Sequence, residues 1–98
     1  MSDMSQIEID NLLREKEKYE DLLYYTKNVR DNIQNAKSKI EEMCPKFDNV
    51  YKINGKNMVK EKYTQIINDL SNQHSALVYT IIPAIYRKID SINSDLES

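Results

Sequence analysis

One stretch decides what this chain can fold into. Cys44-Pro45-Lys46-Phe47-Asp48-Asn49-Val50-Tyr51-Lys52-Ile53-Asn54-Gly55-Lys56-Asn57 contains the only glycine and one of the only two prolines. Proline cannot donate to a continuing helix and disfavours helix at the residue before it, so a helix arriving from the N-terminal side is expected to stop near Cys44. Asn54-Gly55 supplies the residues that most readily reach positive φ, and Asn57 can cap a second helix. On either side lie two long, charged, apolar-striped segments. The chain therefore reads as one all-α domain over residues 1–98, a long antiparallel helical hairpin: helix over about 5–43, loop over about 44–56, helix over about 57–96.

In the first arm, Ser5 followed by Glu8 gives a capping-box start. Ile9, Leu12, Tyr19, Leu22, Val29, Ile33, Ala36, Ile40 and Met43 recur at steps of three and four, with Glu15 or Lys16 and Thr26 at stripe positions, which predicts one buried face. Glu15, Lys18, Lys27, Arg30, Lys37 and Glu41 form the solvated side. Leu13, Leu23, Tyr24 and Tyr25 widen the apolar arc and mark a second surface for a partner. In the second arm the stripe is Tyr63, Ile67, Leu70, His74, Leu77 and Ile81, then Ile85, Ile89, Ile92 and Leu96. The two halves differ in phase by about one residue, and the change falls at Ile82-Pro83-Ala84. A proline there removes a helix hydrogen bond and crowds the carbonyl four residues back, so a kink is expected near Tyr79. Arms of about 40 residues are each about 60 Å long at 1.5 Å per residue, which suits an antiparallel pair. Two helices alone leave a wet apolar face, so a partner is expected to complete a bundle.

The net charge of -2 and the interleaving of acidic and basic residues argue against nucleic acid as a partner. The first residues carry no basic run, and no uninterrupted apolar stretch follows. Neither a cleavable secretory signal nor stable membrane insertion is expected.

Little in the chain suits catalysis. His74 is the only histidine, with Leu70 and Val78 four residues to either side, and it reads as a half-buried stripe residue. Cys44 is the only cysteine, which excludes an internal disulfide or a cysteine metal cluster, and a helix C-terminus does not activate a thiol. One glycine and one histidine cannot furnish a phosphate loop, a zinc-protease motif or a serine triad, so no catalytic residue, metal site or cofactor is expected. The seven tyrosines fall as Tyr19, Tyr24 and Tyr25; Tyr51 and Tyr63; Tyr79 and Tyr86. Tyrosine suits surfaces dry on one side and wet on the other, so these groups belong in a seam or at a partner contact.

The two equal arms, the turn at Ile53-Asn54-Gly55 and the segment Tyr86-Arg87-Lys88-Ile89-Asp90 together resemble the small WXG-type helical hairpins of type VII secretion, and in particular those found alongside LXG toxins. The resemblance covers the whole chain. Gly55 matches the turn glycine and Ile53 stands where the family has an aromatic residue. Tyr86 and Asp90 match the Tyr-x-x-x-Asp/Glu export signal and, four residues apart, share a helix face.

The resemblance implies a non-enzymatic, chaperone-like targeting partner that binds the helical N-terminal region of a secreted toxin, alone or with a second small hairpin protein. It also implies a cytoplasmic protein open to export by type VII secretion without a cleavable signal. Leu12, Leu22, Val29 and Ile33 with Leu70, Leu77, Ile81, Ile85 and Ile89 are the expected contact residues. The same stripe supports an alternative, a self-assembling four-helix-bundle homodimer. A third reading, an intracellular regulator or immunity-like binder, would use the charged face instead.

Overall fold

The computed structural model describes residues 4–47, 52–53 and 56–97. Helix α1 runs over Gln6–Met43 and begins as its sequence predicts. The Ser5 hydroxyl accepts the Glu8 backbone N–H at 3.2 Å and the Ser5 carbonyl accepts that of Ile9 at 3.1 Å, so Ser5 is the N-cap. α1 closes into a 3-10 turn, Cys44–Phe47, tightening at the proline.

The described part of the loop expected from sequence holds two short strands. Strands β1 (Lys52–Ile53) and β2 (Lys56–Asn57) pair antiparallel, with Lys52 opposite Asn57 and Ile53 opposite Lys56. Asn54 and Gly55 lie outside the described residues. An Asn-Gly dipeptide is a hairpin signal as well as a source of positive φ.

The second arm comprises α2 (Met58–Ala76), a π-helical turn (Leu77–Ile81) and α3 (Ile82–Glu97). The π turn is the physical form of the expected kink. The backbone N–H of Ile82 bonds the Leu77 carbonyl, a reach of five residues in place of four. The turn is centred on Tyr79, whose carbonyl the Pro83 ring would crowd in a regular α-helix. The extra residue also accounts for the phase change: Leu77 is half-buried, and the next seam residue is Ile82, not Ile81. Ile82 is 7% exposed and Ile81 42%. Placing Ile81 in the stripe assumed α-helical spacing across a turn that does not have it.

The arms form a rod 73 × 15 × 14 Å, with α1 packed along both α2 and α3. Its radius of gyration is 21.7 Å, against about 13 Å for a compact chain of this length. The buried apolar residues among those described are Ile82, Ile85, Ile89 and Ile92, all on α3. Against α2 the seam is shallower: Tyr63, Ile67, Leu70, His74 and Leu77 are only half-buried. Among the described residues no helix is long and apolar enough to cross a membrane.

Candidate interaction surface

The apolar residues of α1 do not all face its partner arm. The half-buried and buried positions are Ile9, Leu12, Tyr19, Leu23, Thr26, Arg30, Ile33, Lys37 and Ile40, together with Glu15 and Lys16 and their neighbours Lys27 and Ser38. Leu22, Val29, Ala36 and Met43, which belong to the stripe read from the sequence, are exposed. From its midpoint onward, α1 thus turns Thr26, Arg30 and Lys37 toward the seam and holds aliphatic residues outside it. The cationic stems lie along apolar surface while their heads reach water or a carboxylate. The Arg30 Nε stands 3.0 Å from Asp31 and the Lys37 Nζ 3.8 Å from Glu41.

Thr26 is the one buried polar residue among those described, 8% exposed. Its hydroxyl donates to the Leu22 carbonyl at 2.7 Å, so it is satisfied within its own helix and needs nothing from the opposite arm.

Polar contacts between α1 and α3 mark the two sides of the rod. On one side, Lys88 Nζ lies 3.8 Å from Glu15 Oε1 and 5.9 Å from the Tyr19 ring centroid. On the other, Lys27 Nζ donates to the Tyr86 hydroxyl at 2.6 Å. Successive residues turn by about 100°, so positions seven apart stay in one row along the seam. Glu15, Leu22, Val29, Ala36 and Met43 form the row on the Lys88 side; Leu13, Glu20, Lys27, Gln34 and Glu41 form the row on the Tyr86 side. The first is aliphatic beyond Glu15, and the second is mostly charged or polar.

The residues expected to bind a partner divide accordingly. Leu22, Val29 and Ile81 are exposed; Leu12, Ile33, Leu70 and Leu77 are half-buried in the seam; Ile85 and Ile89 are buried against α1. The exposed set also includes residues outside that group: Leu13, Tyr24, Tyr25, Met43, Ile66 and Tyr79, the last at 78%. Tyr24 and Tyr25 stack edge to face, centroids 5.8 Å apart. Tyr86 and Asp90 are both exposed on α3, one turn apart, with Tyr86 held by Lys27. Of the turn residues, Ile53 is in β1, and Asn54 and Gly55 lie outside the described residues.

Sequence reasoning missed the division of the α1 stripe, although a signal existed. The apolar residues of the second half of α1 repeat every seven positions in a row displaced from the polar seam positions Thr26, Arg30 and Lys37. The apolar stripe is wider than the seam with the second arm covers. Among the described residues no group of three histidine, cysteine or acidic side chains is placed to hold a metal ion. Compared with models of known protein families, with curated proteins and with solved structures, the chain matches none.

Proposed function

We propose that the chain is a non-enzymatic binding partner that covers the helical N-terminal region of a type VII secreted toxin of the LXG kind and helps present it for export. The observation that carries the reading is the outward apolar set of a two-helix rod, with Leu22 47% and Val29 48% exposed beside a seam that takes in Arg30 and Lys37. Each such side chain fully covered by a partner contributes about 1.5–3 kcal/mol before ordering costs, so a handful suffices for a stable complex. The secretion context rests on the resemblance of the Ile53-Asn54-Gly55 turn and of Tyr86 with Asp90. Their exposure on one face of α3 suits a receptor that reads an aromatic ring and a carboxylate together.

Co-expression with the products of the neighbouring genes, followed by affinity capture and the mass of the eluted complex, tests this. A larger protein with a helical N-terminal segment in fixed stoichiometry supports the reading, and Tyr86→Ala with Asp90→Ala should then reduce export and leave the complex intact. Elution of this chain with no other protein would refute it.

A further inference from the structure

The two halves of the rod are closed by different means, and the π turn stands between them. The Glu15–Lys88 and Lys27–Tyr86 contacts fix the register of the arms, setting α3 along the first half of α1 and α2 along the second. In the α3 half, Ile82, Ile85, Ile89 and Ile92 are all buried. In the other half, none of the described residues of α2 is buried, and Tyr63, Ile67, Leu70 and His74 reach only half-burial. Opposite them α1 presents Ile33 and Ile40 alternating with Arg30 and Lys37, whose charged heads pair with Asp31 and Glu41 of α1 itself. Those ion pairs lie within one helix and add nothing between the arms.

We propose that α2 and the facing half of α1 form a unit that opens on the π turn while the α3 half stays closed. The cost of parting two faces scales with the apolar area they cover, so the α2 half parts at a fraction of what the α3 half requires. The π turn is where the parting stops. Its five-residue reach interrupts the α-helical hydrogen-bond pattern where α2 meets α3, and a swing there leaves Ile82 and the residues after it in place. The connection permits the swing. Residues 44–57 can span about 45 Å when extended, whereas α2 is about 28 Å long, so its far end can move away from α1 without dragging α1 along. Opening bares Ile33, Ile40, Ile67 and Leu70, which the closed rod half-covers, and so gives the molecule an inner apolar surface that it presents only in the open form.

This inference goes beyond the partner reading and does not depend on it. The outward apolar set, with Leu22 and Val29, is exposed in the closed rod, whereas the inner surface becomes accessible by a conformational step.

The test is residue-resolved amide hydrogen exchange of the purified full chain, followed by NMR under conditions where opening equilibrates faster than exchange. Detached, a helix of 19 residues is marginal in water, so opening releases the amides of α2. Protection should be at least about tenfold lower across α2 than across α3 as far as Ile92, with the step falling at Leu77–Ile81. Ile89→Val, a one-methylene truncation in the α3 seam, should lower the protection of α3 about two- to twelvefold and leave that of α2 unchanged, because opening α2 does not break the packing of Ile89. Ile67→Val lies inside the opening unit and should lower protection in both helices by the same factor. Equal protection of α2 and α3 in the wild type overturns the proposal. So does a gradual rise from Met58 to Ile82, which is fraying from the tip and not a hinged unit. An Ile89→Val effect shared equally by α2 and α3 means that the hairpin opens only as a whole, and an Ile67→Val effect confined to α2 means that α3 opens without it; either result also overturns the proposal. Each of these readouts uses the chain alone, so it stands whether or not co-expression captures a partner.

Discussion

The Lys27 ammonium donates to the Tyr86 hydroxyl at 2.6 Å, with the nitrogen 5.1 Å from the ring centroid, and joins two residues 59 positions apart in the chain. The contact lies on the opposite side of the seam from the Glu15–Lys88 pair, so one cation from each arm reaches across to the other. Both contacts are exposed, and exposed charged contacts contribute little individually. Their consequence is register: they fix how far α3 has slid along α1.

Removing the hydroxyl tests how much Lys27 adds. Tyr86→Phe and Lys27→Met should each lower stability by about 0.5–1 kcal/mol, and the double variant should cost no more than either single one, because both remove the same bond. Urea unfolding followed by circular dichroism, run as a double-mutant cycle, measures it. Strict additivity would mean the contact contributes nothing.

The isoleucines of α3 should dominate the stability of the hairpin. Ile92 is 3% exposed and Ile85 6%, and truncating either to alanine should cost about 2–5 kcal/mol. With so few buried side chains, that loss should unfold much of the chain at ordinary temperature, visible as lost helical signal. Val29→Ala, in contrast, should leave the single-chain fold within about 0.5 kcal/mol of the wild type, since its side chain is outside the seam.

Thr26 offers a substitution in the opposite direction. Its hydroxyl is buried but satisfied by the Leu22 carbonyl, so it adds no bond between the arms. Thr26→Val keeps the shape, frees the helix backbone from a bond that tends to bend it, and exchanges a buried polar atom for a methyl. Thermal melting should show a gain, about 0.5–1 kcal/mol. A loss of similar size would show that the hydroxyl matters beyond its own helix.

Much of the fold was legible because the punctuation is sparse. With one glycine and two prolines, both ends of the first arm and the start of the second are set by Ser5, Cys44-Pro45 and Asn57, and α1 begins and ends, and α2 begins, within a residue or so of those signals. What was not legible has a common cause. A period near three and a half residues identifies an apolar stripe but not its centre, and α1 carries two adjacent apolar rows. Whether Val29 or Arg30 faces the seam depends on what the second arm presents there, which is a tertiary fact. Ile81 was misplaced for a related reason: the phase change was visible around Pro83, but its location within the five residues Leu77–Ile81 was not.

That turn has two available causes, and they make different predictions. One is the Pro83 ring; the other is the seam itself, because Leu77 and Ile82 both serve it and stand five positions apart, a spacing that a π turn matches. If that spacing decides, the turn should persist in Pro83→Ala, and on that background Ile82→Ala should still cost about 2–5 kcal/mol while Ile81→Ala costs several-fold less. If the proline ring alone forces the turn, restoring the N–H should let the helix wind regularly through Tyr79. The next seam position after Leu77 would then become Ile81, and the two alanine substitutions should exchange their costs. Urea unfolding of the four variants, at a concentration where the chain is a monomer, separates the cases. We expect Ile82 to remain the costly position, because burying the α3 isoleucines outweighs one recovered backbone hydrogen bond, about 0.5–1.5 kcal/mol net.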